Sequence, residues 1–261
     1  MDNVNKTLYI PLRGKAYVSR MGILLSDPDA EAIWEKSGFP LKGKSASKWL
    51  AYSMGIRAAV FDRWLCQQLA QMPDAVVLHL GCGLDSRCRR VRTEANWFDV
   101  DFPAVIEERK RYFSEEENYR MICRDLREDF LRDIPSGGRA IVVMEGISMY
   151  LNSQERLDLL SRLASHFTEV RLLMDTYTVF AAKATQYKNP INDVGVTRVY
   201  GFDDPRALEC GTLTFVSEHD MNPPELVAQL PQKDQRIYRL VYGGKMAQKI
   251  CRLYEYRSPG L

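Results

Sequence analysis

VVLHLGCGLDSR, residues 76–87, decides how the rest of the chain is read. A short, mostly apolar run stops at a turn that carries Gly81 and Gly83. Such a run reads as a buried strand feeding a tight turn, and in open α/β sheets the first strand-to-helix turn is where a ligand meets the backbone. A dinucleotide fingerprint would need a third glycine, yet Ser86 stands there with Asp85 before it. An acid in this turn opposes a pyrophosphate, which seeks the positive end of a helix; a ligand made of an amino acid and a ribose suits it better. A tight turn with no ligand is the plain structural alternative.

Outward from this stretch, six more apolar runs follow: NWFDV (96–100), RMIC (120–123), AIVVME (140–145), VRLLMD (170–175), LTFVSEHD (213–220) and ICRLYEYR (250–257). With AVVLHL (75–80) they predict seven strands. Helical stretches separate them, notably PAVIEERKRYF (103–113) and SQERLDLLSRLASHF (153–167), the second with Ser153 as N-cap, and a stretch after Pro231 broken at Gly243 and Gly244. This alternation predicts right-handed βαβ crossovers, a parallel sheet and helices on both faces, a doubly wound α/β fold. Upstream, Trp49, Leu50, Met54, Phe61, Leu65 and Leu69 recur at helical spacing between Ser45/Ser47 and Pro73, which predicts one long amphipathic helix. The expected organisation is a single domain, 1–261, with a helical cover over 1–74 and the α/β core over 75–261.

The composition, 46% hydrophobic and 27% charged over 261 residues, is that of a folded globular chain. Basic and acidic residues nearly cancel, 36 against 34, so no global field draws in nucleic acid or an anionic bilayer. A small-molecule or protein partner is expected instead. Six scattered cysteines lack the close pairing of a zinc or redox site, and His79, His166 and His219 form no metal-ligand spacing. The expectation is a cytoplasmic protein with reduced thiols, no metal and no membrane span.

Twenty positions after Gly81, WFDVDFP (97–103) ends in Asp101, the distance at which an acid accepts hydrogen bonds from ribose hydroxyls. Asp99 lies inside the run and is the lesser candidate. Asp101 is alternatively a cap for the helix that Pro103 opens. In CRDLRED (123–129), Asp125 suits an adenine amino group and Leu126 its ring, although a solvated acidic loop reads the same way. Glu145 ends the apolar run 140–145, where a carboxylate is costly unless paired.

LGCGLDSR (80–87), WFDVDFPAVIEERK (97–110) and MEGISMYL (144–151) resemble the signature segments of the leucine carboxyl methyltransferase superfamily, and more closely its bacterial polyketide O-methyltransferase-like branch, of tetracenomycin type. The similarity extends over TLYIPLRGKA (7–16), MGIRAAVFDRWL (54–65) and GFDDPRAL (201–208). It implies a Rossmann-like, seven-stranded class I methyltransferase with an N-terminal helical cover and S-adenosylmethionine as methyl donor. By that pattern Arg57 and Lys15 hold the donor's carboxylate, Gly81 lines its methionine part, Asp101 its ribose, and Asp125 with Leu126 its adenine. Glu145 lies near its amino group and sulfonium. The alternatives are a surface ion pair to Asp62 for Arg57 and a solvated chain for Lys15.

Tyr150, Tyr177 and Arg198 fall where an acceptor pocket is expected, and each reads equally as a packed aromatic or a surface charge. His79 reads as a hydrogen-bonded core residue rather than a base. Three functions remain open: a small-molecule O-methyltransferase, a methyltransferase of a protein's C-terminal carboxylate, and a non-catalytic nucleotide- or NAD-binding module. The missing third glycine counts against the last. With no strong general-base constellation in the sequence, the expected acceptor is an oxygen acid, a carboxylate or an acidic phenol.

Overall fold

The computed structural model describes residues 7–185, 199–243 and 249–259. Strands β1 (Val76–Leu80), β2 (Trp97–Asp101), β3 (Tyr119–Cys123), β4 (Arg139–Met144), β5 (Glu169–Tyr177), β6 (Thr214–His219) and β7 (Cys251–Arg257) form one sheet in the order β3-β2-β1-β4-β5-β7-β6. Each of the seven apolar runs is thus a strand. The first five pair in parallel, with β1 central: Leu78 registers with Phe98 on one side and Val142 on the other. The expected wholly parallel sheet is not found, because β7 runs antiparallel to both β5 and β6. An apolar run signals burial on a sheet and carries no information about strand direction.

Helices α1 (Tyr9–Arg20), α2 (Pro28–Ser37) and α3 (Lys48–Gln71) precede the sheet. Ser47 opens α3 by accepting the Leu50 N–H at 3.2 Å, and the helix stops just before Pro73. Within and after the sheet come α4 (Arg87–Arg90), α5 (Pro103–Arg109), α6 (Ser153–His166), α7 (Val179–Ala184), α8 (Pro224–Val227) and α9 (Gln232–Tyr242). The cap of α6 is Asn152 rather than Ser153. Its side chain accepts the Glu155 N–H at 3.0 Å while Glu155 accepts the Asn152 N–H at 2.7 Å, a reciprocal pair that satisfies two otherwise orphaned donors. Helix α5 is shorter than its 103–113 pattern and ends at Arg109.

The period of two along each strand sorts the core into two layers. Val77, Ile141, Val143 and Leu173 face Ile56, Phe61 and Leu65 of α3, whereas Leu78, Leu80, Val142 and Leu172 face Leu159, Leu160 and Leu163 of α6. Helix α1 packs on α3 and reaches over the carboxyl ends of the first strands, and α2 packs on α1. All six cysteines are free thiols. Among the described residues no helix is long and apolar enough to cross a membrane, and no cluster of His, Cys, Asp and Glu is placed to hold a metal ion.

Candidate active site

The carboxyl ends of β1, β2 and β4 open into a cleft roofed by the start of α1. Its floor is the turn after β1. Gly81 sits at φ +71°, a conformation that a side chain resists, and a Cβ there would fall 2.8 Å from Ile147. Backbone therefore lines the cleft where a ligand can approach closely.

Asp101 stands beside this turn. Its two oxygens accept the Gly83 N–H at 2.8 Å and the Phe102 N–H at 2.7 Å, and no ion pair reaches it among the described residues. Burial raises its carboxyl to about 6, against the lowering effect of those two N–H groups. Each oxygen keeps a lone pair for a further donor. That is the acceptor chemistry a ribose diol calls for, so the methyl donor named by the family pattern fits here. Asp101 does not cap α5, whose N-cap is Phe102. Asp99 lies deeper and is consumed by the core: Arg109, Tyr119 and the Trp97 ring N–H all reach its carboxylate.

A buried ion network closes the other side. Lys15 of α1 pairs with Asp85 at 2.9 Å, and Arg57 of α3 reaches Glu145 at 3.1 Å and Asp175 at 2.9 Å. Arg87, fully buried, joins Glu145, Asp85 at 3.3 Å and Asp62 at 2.7 Å. Burial alone would push Glu145 up, but Arg87, Lys15 and Arg57 together hold it down at about 2. Asp85 is likewise held well below the usual carboxylate range by Arg87, Lys15 and Arg90 despite its burial. Asp175 goes the other way: desolvation outweighs Arg57 and raises it. His79 lies under Arg87, its Nε2 3.1 Å from the guanidinium and its Nδ1 3.3 Å from Asp99. Burial lowers its pKa, which leaves a neutral, enclosed imidazole.

Lys15, Arg57, Gly81, Asp101 and Glu145 are thus brought together along one cleft, with Tyr150 and Tyr177 at its other end. Arg57 is no surface residue and does not meet Asp62, which Arg87 and Arg90 hold. Asp125 and Leu126 stand apart from the cleft wall. Burial would raise Asp125, yet its hydrogen bonds with Arg127 prevail and hold it low, and Leu126 is packed in the α6 layer of the core. Phe102 and Val105 occupy the cleft wall next to Asp101 instead. Arg198 lies outside the described residues. Sequence reasoning missed Arg87 and Asp175. Nothing in the run RCRR signals burial; the convergence of Asp62, Asp85 and Glu145 from three elements buries its first arginine.

The sheet order, the glycine turn after β1 and the acid at the end of β2 define a class I methyltransferase, the class whose methyl donor is S-adenosylmethionine. Residues 19–164 match the family model described as leucine carboxyl methyltransferase. The tetracenomycin polyketide synthesis O-methyltransferase TcmP of Streptomyces glaucescens is 34% identical over 214 residues, 80% of this chain and 79% of that protein. The S-adenosyl-L-methionine-dependent methyltransferase dpfgK of Gibberella zeae is 30% identical over 183 residues, covering 64% of this chain and 61% of that protein. Among solved structures, a putative methyltransferase from Thermobifida fusca superposes with a TM-score of 0.55 at 14% identity, over 95% of this chain and 94% of that one. The chain belongs to the leucine carboxyl methyltransferase family.

Proposed function

We propose that the chain is an S-adenosylmethionine-dependent O-methyltransferase whose acceptor is a small-molecule carboxylate or acidic phenol with an apolar, polyketide-like body. The observation that carries this reading is the division of the cleft. Around Ile10 of α1, the side chains of Leu50, Met54, Tyr150 and Tyr177 pack into an apolar and aromatic wall, bordered by Arg57 and Glu145, while Asp85 and Asp101 lie toward β1 and β2. A flat apolar acceptor finds contact area there, and the neighbouring carboxylates Glu145 and Asp85 are engaged by Arg57, Arg87 and Lys15 rather than free to act as a base. An acceptor that arrives already ionised needs none.

In this reading Asp101 accepts from the ribose hydroxyls, Phe102 and Val105 flank the base, and Arg57 with Lys15 faces the donor's carboxylate. Glu145 faces its amino group. S-adenosylmethionine, when bound, supplies an electrophilic methyl group on a sulfonium. The chain's own contribution is to fix the acceptor oxygen in line and to exclude water under α1, since positioning of two reactants is worth several kcal/mol on its own, roughly 7–11 in well-oriented cases. His79 takes no proton in this scheme, being enclosed beneath Arg87.

The test is methyl transfer from methyl-labelled S-adenosylmethionine to a fractionated cell extract. Label is expected in an extractable small molecule. Alkali then separates the two acceptors: a carboxylate gives an ester that releases labelled methanol, and a phenol gives a stable ether. Label confined to protein, or an N-methyl or S-methyl product, overturns the reading. TcmP, by its name an O-methyltransferase of polyketide synthesis, supports the choice of oxygen and of acceptor class.

A further inference from the structure

Arg156 is a cation in the wrong place. It lies in the first turn of α6, at the positive end of the helix, with only 1% of its surface exposed. Among the described residues no carboxylate lies within ion-pair reach of it; its neighbour Glu155 is engaged in the cap of α6. Burying a guanidinium without a counter-ion is costly, and a hydrophobic side chain would fill the same space more cheaply. What the guanidinium has instead are neutral acceptors. One nitrogen donates to the carbonyls of Leu151 at 2.7 Å and Ser148 at 3.2 Å, another to the Ser153 hydroxyl at 3.3 Å, and the central carbon Cζ lies over the Phe202 ring, 4.9 Å from its centre.

These contacts join two pieces of chain that are far apart in sequence and that both serve the acceptor end of the cleft. The first is the 147–151 turn, whose Ile147, Met149 and Tyr150 line the cleft. The second is the 200–202 segment, which crosses the end of β5. Tyr200 N–H donates to the Met149 carbonyl at 2.8 Å and Phe202 N–H to the Tyr177 carbonyl at 2.9 Å. Gly201 between them passes so close that a Cβ would fall 2.2 Å from the Thr178 carbonyl oxygen. A planar, five-donor guanidinium can bind two carbonyls and a hydroxyl while lying over a ring; an ammonium, with three tetrahedral donors, cannot keep all of these contacts at once.

We infer that Arg156 is a positioning residue for the acceptor, clamping the 147–151 turn to the 200–202 segment so that Tyr150 and Tyr177 hold one fixed wall. The acceptor half rests on the function proposed above; the clamp itself does not. Arg156→Met and Arg156→Lys, each compared with wild type, separate the two. Hydrogen exchange reads the clamp at the Tyr200 and Phe202 amides, with β1 amides as the internal reference. In Arg156→Met those two amides are expected to exchange about tenfold faster or more while β1 is unchanged, with Arg156→Lys in between.

Calorimetry reads the site with S-adenosylhomocysteine as the donor-side probe and 2-naphthoate as the acceptor-side probe. S-adenosylhomocysteine is expected to bind within about twofold of wild type and 2-naphthoate at least about tenfold more weakly. Unchanged exchange at Tyr200, exchange that rises equally in β1, or equal weakening of both probes overturns the proposal. A wild type that binds no S-adenosylhomocysteine overturns the methyl-transfer reading, and the Tyr200 exchange still decides the clamp. Should Arg156→Met fail to fold, Arg156→Lys reads the same quantities with a smaller expected shift in the same direction, because it keeps the charge and loses part of the contact to the carbonyls and the ring.

Discussion

Lys15 of α1 and Asp85 of the glycine turn meet at 2.9 Å with both side chains buried. Nearby, the Ser86 hydroxyl donates to Asp27 at 2.5 Å and Arg90 reaches the same carboxylate, so the segment between α1 and α2 is fastened to the floor of the cleft as well. The helical roof is thus held through the very turn that lines the cleft.

This arrangement is unequal toward its members. Asp85 pairs with Lys15, Arg87 and Arg90 together, whereas among the described residues Lys15 makes its one ion pair with Asp85. Asp85→Ala is expected to lose about 3–5 kcal/mol of stability, since buried cations are left facing one another. Lys15→Met removes one of three partners and is expected to lose about 1–2 kcal/mol. Urea midpoints of the two variants check this, and equal losses would refute the account.

Arg57 holds two carboxylates, so Arg57→Ala should lower stability by about 3–5 kcal/mol by stranding Asp175 and leaving Glu145 with Arg87 as its one guanidinium partner. Asp175→Asn in the same chain should recover part of the loss, giving a coupling of about 0.5–3 kcal/mol in a double-mutant cycle. Strict additivity would mean that the pair seen between them carries no energy.

With Asp101 in the proposed donor site, donor binding is expected to depend on pH. Burial raises its carboxyl to about 6 in the free protein, above the roughly 3.9 of an unfolded chain. Its contribution to folding stability is therefore fully present below about pH 4 and is lost as pH rises through about 6. A ligand that donates hydroxyls to the ionised form reverses this preference. S-adenosylhomocysteine should bind more tightly as pH rises from 5 to 7 and release a proton near pH 6, and Asp101→Asn should weaken it by about 1–3 kcal/mol at pH 8 and flatten the profile. Calorimetry in buffers of different ionisation enthalpy measures both, and an unchanged pH profile in the variant would remove Asp101 from the site.

Gly81→Ala tests the floor. An alanine at φ +71° carries a backbone penalty of about 1–2 kcal/mol, and its methyl group would displace Ile147. The variant should bind S-adenosylhomocysteine at least about tenfold more weakly, a loss near 1.4 kcal/mol or more. Ile147→Ala should not rescue it, because the Ile147 Cβ is itself 2.8 Å away. Full donor affinity in Gly81→Ala would show that the backbone does not need to approach the ligand there.

Where the sequence was legible, the physics was local. Apolar runs bounded by turns mark every strand, Ser47 and Pro73 bracket α3, and the twenty-residue offset from Gly81 finds Asp101 at the cleft. What stayed hidden depends on convergence. Arg87 and Arg156 look like surface charges until distant acids, carbonyls and a ring gather around them. Asp125 matches its motif by position, but Arg127 two residues on takes its carboxylate. The misplaced cap of α6 is a one-residue matter: Asn152 and Ser153 are both good caps, and Glu155 at the third position selects the first.

The place of β7 in the sheet has a consequence for biosynthesis. It lies between β5 and β6, and β6 pairs in the sheet with β7 alone. On the ribosome, β6 leaves the exit tunnel with no template to join, and β5 waits with an open edge until the residues of β7 follow. The nascent chain therefore carries two unsatisfied strand edges through the synthesis of more than thirty residues, the stretch from His219 to Cys251. Exposed edges of this kind recruit other chains. A premature stop before β7 would leave both edges exposed for good, turning a methyltransferase precursor into a substrate for chaperones and proteases.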